Sequence, residues 1–267
     1  MIEINREICT GCEQCINDCP AGVIALVNGR AEIERPCIKC GHCVAICPAE
    51  AVSIPEYTME SVVEYQAEAF DIPAETLLNF IKFRRSIRHF QKRAVEDEKI
   101  QQIIEAGRHL PTGGNRQNVR YIVVIDQLQA LRACLLKKLN AIAFDQPGQI
   151  WEGRYDKRFR ALYENFLKDP DGVDGLFFHA PLLLLTVSDD PLQAALVSTG
   201  IELEANALGL GCLYSGFSTA GIDNDAACRA LLGLTEDEHA VTALLIGYPA
   251  VTYQRTAPRK KPDVTTM

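Results

Sequence analysis

The chain has 267 residues, of which 48% are hydrophobic and 23% charged, and its formal net charge is −8. A negative net charge, with no basic tract in which aromatic residues are interleaved, argues against a general nucleic-acid-binding protein. No apolar run reaches the roughly 20 residues that a membrane-spanning helix needs. We therefore predict no nucleic-acid partner and no membrane association.

Two runs of four cysteines dominate the start of the chain, and each run ends in proline. Both have the spacing C-x2-C-x2-C-x3-C-P, which is typical of proteins that bind two [4Fe-4S] clusters. A zinc site needs only four ligands, so it does not account for two complete runs. Disulfides suit secreted chains, and residues 1–10 do not resemble a signal peptide. The runs are Cys9, Cys12, Cys15, Cys19 and Pro20, then Cys37, Cys40, Cys43, Cys47 and Pro48.

Residues 1–55 resemble the bacterial two-cluster ferredoxins, in which the fourth cysteine of each run crosses to the other cluster. The resemblance implies that cluster I takes Cys9, Cys12, Cys15 and Cys47, and that cluster II takes Cys37, Cys40, Cys43 and Cys19. So small a unit has little hydrophobic core, and we expect the clusters to supply much of its folding free energy.

Cys134, Cys212 and Cys228 lie outside the two runs and far apart in the sequence. We predict that they are small buried hydrophobic residues rather than metal ligands. Free thiols together with iron–sulfur clusters point to a reducing, oxygen-poor cytoplasm.

The rest of the chain alternates between helical and strand patterns. Residues 55–73 are acidic and are interpreted as a linker with one helical turn. Apolar spacing predicts helices over 74–83, 96–107, 128–143 and 191–210, and buried strands over 120–126, 181–188 and 241–247. The alternation alone indicates an α/β domain.

Four separated segments indicate a second cofactor. The first, Arg84 to Arg88, offers guanidinium groups and a hydroxyl that suit a phosphate. The second is the glycine-containing loop 111–117, which is rich in side-chain amides. The third, 208–217, is rich in small residues that let the backbone approach a flat ligand closely. The fourth is a basic tail that follows Gly247.

The order and spacing of these segments resemble the FMN-dependent nitroreductase family over about residues 73–267. The resemblance implies an α+β sandwich, with helices around a mixed, mostly antiparallel sheet. It also implies a homodimer with FMN at the subunit interface. We therefore divide the chain into a ferredoxin domain (1–55), a linker (56–72) and an FMN domain (73–267).

The resemblance assigns residues around FMN, and it assigns no catalytic side chain. Phosphate and ribityl contacts fall on Arg84, Ser86 and Arg88, adjoined by Arg85, and a second phosphate pair on Arg259 and Lys261. Asn115 and Gln117 belong to the loop that reaches the flavin ring, and Pro111, Thr112 and Gly113 approach the flavin of the other subunit. Ser215 and Gly216 face flavin N5 and O4. The family's Pro-Trp after this loop is replaced by Asn118-Val119, which puts the substrate-side contacts in doubt.

Aromatic residues recur three or four positions apart between residues 151 and 166. Such a stripe usually faces a core. The alternative is an aromatic wall over the flavin, because the family often carries a pocket-covering helix here. The stripe consists of Trp151, Tyr155, Phe159, Tyr163 and Phe166.

These features predict a flavin oxidoreductase in which two [4Fe-4S] clusters pass electrons to FMN, which reduces an electron-poor small molecule such as a nitroaromatic or a quinone. Reduced ferredoxin is the favoured electron donor, because attached clusters are unnecessary if NAD(P)H delivers hydride directly. NAD(P)H remains the alternative donor. The alternative function is an electron-transfer or redox-sensing protein that acts on a protein partner.

Overall fold

The computed structural model describes residues 2–148 and 151–267, which form two compact units. The N-terminal unit comprises the chain up to Ile72 together with Thr112–Gln117, and the C-terminal unit comprises Pro73–Pro111 and Asn118–Met267. The loop 112–117 is therefore separated in sequence from the unit with which it packs.

The N-terminal unit contains short elements around the two cysteine runs. In chain order they are β1 (Glu3–Ile4), α1 (Gln14–Asn17), β2 (Ile24–Val27), β3 (Arg30–Ile33), α2 (His42–Ile46), β4 (Val52–Ser53) and α3 (Ala67–Phe70). β1 pairs antiparallel with β4, and β2 pairs antiparallel with β3. The predicted linker holds a 3-10 turn (Met59–Ser61) as well as α3.

The C-terminal unit contains longer helices around one sheet. Its elements are α4 (Ala74–Phe83), α5 (Asp97–Arg108), β5 (Arg120–Val124), α6 (Leu128–Asp145), α7 (Asp156–Lys168), β6 (Leu182–Val187), α8 (Pro191–Ala207), β7 (Gly211–Tyr214), α9 (Gly216–Asp223), α10 (Ala226–Leu231) and β8 (Ala240–Gly247). Within the described residues, no helix is both long and apolar enough to cross a membrane.

The sheet of the C-terminal unit has the order β5-β6-β8-β7, and each neighbouring pair is antiparallel. The α/β class indicated by simple alternation was therefore wrong, because antiparallel neighbours do not form the parallel sheet of that class. The α+β sandwich implied by the resemblance is confirmed. An isolated parallel bridge joins Ser86 to Cys212 at the edge of the sheet.

Both faces of this sheet are covered, as the alternating side chains of β6 show. Leu183 and Leu185 join a core with α6 and α7, whereas Leu182 and Leu184 join a core with α5 and α8. Successive side chains of a strand point to opposite faces. All six residues of β6 are buried, so this strand lies at the centre of the sandwich.

Candidate functional site

Cys9, Cys12, Cys15 and Cys47 line one cavity in the N-terminal unit. Three come from the loop and first turn of the first run, and the fourth comes from the end of the second run. This is the ligand set that the crossing pattern assigns to cluster I. Four thiols around one cavity fit the ligand set of a [4Fe-4S] cubane.

The loop before α1 takes a shape that only glycine permits at its centre. Gly11 has φ +69°, and a β-carbon there would lie 2.4 Å from the carbonyl oxygen of Gly29. The chain therefore turns tightly between Cys9 and Cys12, which brings both cysteines to the same cavity.

Backbone amides point at several cysteine sulfurs. The N–H of Val23 donates to Cys19 Sγ at 3.5 Å, and the N–H of Ala51 donates to Cys47 Sγ at 3.3 Å. Backbone N–H groups of Ala31 and Gly11 lower the pKa of the Cys9 thiol. These donors stabilise negative charge on sulfur, as thiolate ligands require.

The cysteines of the second run also lie close to one another. Cys43 is buried, and this burial raises the pKa of its thiol to about 11, with a further contribution from the nearby Cys37 and Cys40. The N–H of Lys39 donates to Cys37 Sγ at 3.3 Å. That Cys19 completes this group remains a prediction.

In the C-terminal unit, the predicted phosphate-binding segment runs beside β7. The N–H of Ile87 donates to the carbonyl of Cys212 at 2.9 Å, next to the Ser86–Cys212 bridge. A β-carbon on Gly211 would lie 2.4 Å from Ile87 Cγ1. Gly211 thus lets this segment approach β7, and the parallel pairing brings its end at Arg88 near the start of α9.

Arg84 and Arg85 have partners in this unit. Arg84 Nη1 donates to Glu202 Oε1 at 2.7 Å, and the Glu202 side chain is only 7% exposed. Burial raises the pKa of Glu202, while its bond with Arg84 opposes that shift. The guanidinium of Arg85 lies 5.9 Å from the centre of the Tyr253 ring.

An open cleft of about 600 Å³ brings predicted residues together. Its volume lies within the range of cofactor and substrate pockets. Predicted FMN residues on the cleft are Arg88, Ser215 and Gly216, and the other lining residues are Trp151, Glu152, Arg154, Tyr155, Arg158, Leu176, Phe178, Leu213, Tyr214 and Phe217. Three arginines against one glutamate make the lining cationic, which suits an anionic cofactor or substrate.

The aromatic stripe divides between core and cleft. Phe159 is fully buried, whereas Trp151 is 44% exposed. Trp151 packs edge-on against Phe217, with ring centres 5.2 Å apart, and against Tyr155 at 5.7 Å. Phe159 thus packs in the core, as the first interpretation predicts, whereas Trp151 and Tyr155 line the cleft. That this aromatic wall covers a flavin remains a prediction.

The cleft does not include all the predicted FMN residues. Arg259 and Lys261 are exposed in an irregular C-terminal segment. Residues 112–117 pack in the N-terminal unit, where Asn115 donates to two backbone carbonyls and Gln117 Nε2 donates to Tyr57 Oη at 2.9 Å. Flavin contacts by these residues remain predictions.

Sequence reasoning missed Arg154 and Arg158 as cleft residues. They lie four positions apart, which is the spacing of neighbours on one helix face, and they alternate with the aromatic stripe. A search for cations beside aromatic residues at helical spacing was the available signal.

Two of the three remaining cysteines are buried, as predicted. Cys212 and Cys228 are fully buried, and Cys134 is partly buried. The thiol of Cys134 donates to Asp225 Oδ1 at 3.5 Å, and the Cys228 thiol lies within 4.8 Å of both groups. Asp225 also accepts the N–H of Cys228 at 2.9 Å at the start of α10.

The site and the fold together define a two-part protein, an iron–sulfur-type unit joined to an α+β sandwich with a cationic cleft. Residues 81–248 match the nitroreductase family, and the chain belongs to that family. Residues 1–48 match the 4Fe-4S dicluster domain, so the family fold carries an N-terminal iron–sulfur domain here.

Relatives agree with this assignment. A protein of Archaeoglobus fulgidus provisionally named NADH dehydrogenase/NAD(P)H nitroreductase is 27% identical over 180 residues, which cover 66% of this chain and 86% of that protein. A Bacteroides fragilis nitroreductase with bound FMN has a TM-score of 0.53 at 19% identity, covering 71% of this chain and 98% of its own. A Desulfitobacterium hafniense nitroreductase with bound FMN has a TM-score of 0.51 at 22% identity, covering 70% and 97%. These structures share the fold of the C-terminal unit.

Proposed function

We propose that the chain is a flavin oxidoreductase in which electrons from two [4Fe-4S] clusters reach FMN and then an electron-poor small molecule, such as a nitroaromatic or a quinone. The observation that carries this proposal is the cationic cleft beside the Arg84–Arg88 segment, in a chain that also groups four cysteines around one cavity. Clusters held by the cysteines would supply one-electron transfer, and FMN bound in the cleft would supply hydride transfer.

The cluster ligands we propose are the two crossed sets of four cysteines. The cavity between Cys9, Cys12, Cys15 and Cys47 supports the first set. The second set, Cys37, Cys40, Cys43 and Cys19, follows by the same pattern. Backbone N–H donors to Cys19 and Cys37 support anionic sulfur at both residues.

The FMN residues we propose begin with those on the cleft. Arg88 would bind the phosphate or ribityl chain, and Ser215 and Gly216 would hold the ring near N5. A β-carbon on Gly216 would lie 3.4 Å from the Trp151 ring. Because glycine has no side chain, the edge of the Trp151 ring and the backbone of Gly216 are both exposed at the cleft wall. The remaining residues in this proposal are Arg84, Arg85, Ser86, Pro111, Thr112, Gly113, Asn115, Gln117, Arg259 and Lys261.

We also propose a cytoplasmic homodimer with FMN at the subunit interface. Helix α4 supports the dimer, because four of its apolar residues are 44–50% exposed. Exposed apolar residues grouped on one helix are costly to leave in water and are typical of an interface. The residues are Leu77, Leu78, Ile81 and Phe83.

An open cleft with an aromatic wall supports a small-molecule acceptor over the alternative, a protein that relays electrons to a partner or senses redox state. Reduced ferredoxin is our proposed donor. The NAD(P)H route keeps its place as the alternative, because the Archaeoglobus relative bears that cofactor in its name.

Anaerobic reconstitution tests the proposal directly. Iron, sulfide and FMN are counted per subunit, and about eight irons and one FMN are expected from two cubanes and one flavin site. Reoxidation of the reduced protein by nitroaromatics or quinones then distinguishes an enzyme from a carrier. Zinc in place of iron, or no retained flavin, would overturn the proposal.

Donor identity needs a separate measurement. Flavin reduction is followed with reduced ferredoxin and with NADH, in the full protein and after removal of the clusters. If NADH reduces the flavin equally fast without clusters, the ferredoxin route is wrong.

A further inference from the structure

The loop Thr112–Gln117 is connected by sequence to α5 and β5, yet it packs in the N-terminal unit. Its contacts concentrate on the two residues between Cys37 and Cys40. Asn115 Nδ2 donates to the carbonyl of Ile38 at 3.1 Å and to the carbonyl of Lys39 at 2.8 Å. Because carbonyl oxygens only accept hydrogen bonds, the NH₂ end of the Asn115 amide must face them.

The Ile38–Lys39 peptide joins this amide to a cluster ligand. Its carbonyl oxygen accepts from Asn115, and its N–H, on Lys39, donates to Cys37 Sγ at 3.3 Å. Hydrogen bonds in a chain polarise one another, so a donor at the carbonyl strengthens the N–H as a donor to sulfur. Asn115 is thereby coupled to the Cys37 thiolate through a single peptide group.

The loop is built to hold Asn115 in this position. Thr112 Oγ1 accepts the N–H of Gln117 at 3.0 Å, and the carbonyl of Thr112 accepts the N–H of Asn115 at 2.9 Å. Asn115 has φ 55°, a left-handed conformation that asparagine tolerates better than most residues. Gln117 then fastens the end of the loop to Tyr57.

We propose that Asn115 is a positioning residue for cluster II and raises its reduction potential. The proposal rests on the proposed function, since it requires that Cys37 bind a [4Fe-4S] cluster. A hydrogen bond to a ligand sulfur stabilises the reduced cluster more than the oxidised one, because the reduced cluster carries more negative charge. Asn115 lies 72 residues after Cys43, the last proposed ligand of cluster II in the sequence. A residue outside the ferredoxin-like segment 1–55 thus tunes that cluster.

The test is a potentiometric titration of the anaerobically reconstituted full-length protein, followed by EPR and visible absorption. Asn115→Asp keeps the shape of the side chain and removes the donor, and Asn115→Gly removes the side chain without adding charge or backbone strain. Asn115→Gln keeps a donor. Asn118→Ala is the matched control, because the Asn118 amide lies in the same connection but donates to Asp189 in the C-terminal unit.

One of the two cluster potentials should fall in Asn115→Asp and Asn115→Gly, while the other stays in place. We expect a roughly threefold to tenfold weaker reduction equilibrium, tenfold being about 59 mV for a one-electron couple. Asn115→Gln should retain more of the wild-type potential, and Asn118→Ala should leave both cluster potentials unchanged. If the wild-type protein holds eight irons and the potentials of Asn115→Asp and Asn115→Gly equal its own, this inference alone is overturned. A wild-type protein without clusters would overturn the proposed function as well.

Discussion

Arg84 donates from Nη1 to Oε1 of Glu202 at 2.7 Å, joining the proposed phosphate-binding segment to the middle of α8. The two partners are unequal, because the Arg84 side chain is 26% exposed and that of Glu202 only 7%. Glu202 therefore depends on Arg84 more than Arg84 depends on Glu202. The pair also means that part of the guanidinium is already engaged before any phosphate arrives.

The first prediction concerns removal of either partner. Arg84→Ala leaves a buried carboxylate without its cation and should cost about 3 kcal/mol of the free energy of unfolding at neutral pH. Glu202→Ala should cost less, because the remaining guanidinium can turn towards water. The measurement is urea unfolding of both variants and of the double variant. Equal costs for the two single variants would contradict the asymmetry.

The pH dependence of Arg84→Ala follows from the same pair. Burial raises the pKa of Glu202 above its usual 4.5, so the folded state disfavours its charged form. In Arg84→Ala the pKa of Glu202 should rise further, because Arg84 no longer opposes the effect of burial. The cost of the substitution should be fully present above that higher pKa and should shrink as the pH falls towards 4.5, because the protonated carboxyl needs no cation. A cost that is constant between pH 4 and pH 8 would show that Glu202 is not the group left behind.

The second prediction tests the close approach at Gly211. An added β-carbon would lie 2.4 Å from Ile87 Cγ1 and 3.0 Å from Pro249 Cγ. Gly211→Ala should destabilise the fold by about 1–3 kcal/mol. The double variant Gly211→Ala with Ile87→Ala should lose less stability than the sum of the two single losses, because the shorter side chain at position 87 leaves room for the added β-carbon. Thermal unfolding measures both effects. Gly216→Ala is the control, since its β-carbon meets its nearest neighbour at an ordinary 3.4 Å.

The third prediction concerns Glu96 at the start of α5. Tyr248 Oη donates to Glu96 Oε2 at 2.5 Å, and this bond, with a backbone N–H and Arg93, lowers the pKa of Glu96 to about 2. A lowered carboxyl pKa stabilises the fold above the unfolded-state value of 4.5, and that contribution is lost as the pH falls towards 2. In Tyr248→Phe the pKa should rise towards 4.5, which carboxyl-carbon NMR of Glu96 measures.

The expected stability profile follows from that shift. Tyr248→Phe should be less stable than wild type above about pH 5, and the two should converge as the pH approaches 2. A stability gap that persists at pH 2 would mean that the hydroxyl stabilises the fold in some way other than its bond to the ionised carboxylate.

The sequence predicted those features that local spacing encodes. Each strand that we predicted is present, although β5 is only partly buried, and the cysteine repeat identified the residues around the first cavity. Helix α4 was found from the spacing of Leu77, Leu78 and Ile81, although those residues do not face a core. The antiparallel order of the sheet was not encoded locally, because each strand is apolar on both faces. The resemblance supplied it instead.

Contacts between residues far apart in the chain could not be predicted from the sequence. Glu202 lies within a largely apolar helix, and nothing nearby in the chain marks Arg84, 118 positions away, as its partner. Strand β7 was missed because its four residues, which begin at Gly211, carry no alternation. The attachment of residues 112–117 to the N-terminal unit also has no local signal, because a glycine-rich loop with amides suits many partners.

The fourth prediction separates the two parts of the aromatic stripe. Phe159 is fully buried among core residues, so Phe159→Ala should cost about 3–5 kcal/mol in the free energy of unfolding. Trp151 is 44% exposed and has edge contacts with Tyr155 and Phe217, so Trp151→Ala should cost only about 1–2 kcal/mol. Urea unfolding compares the two variants.

Acceptor kinetics should show the opposite ranking. Trp151 forms one wall of the cleft, so its loss should raise KM for flat aromatic acceptors while a small quinone is reduced with little change, because only the larger ring can stack on the indole. Phe159→Ala, assayed under conditions in which it stays folded, should change KM for the two acceptors by the same factor, because the Phe159 side chain contacts neither of them. Were Trp151→Ala to leave the KM for both acceptors unchanged, the indole would be a packing group at the cleft edge and substrates would bind elsewhere. A rise confined to the larger acceptor requires direct contact, since a general loosening of the cleft would affect both.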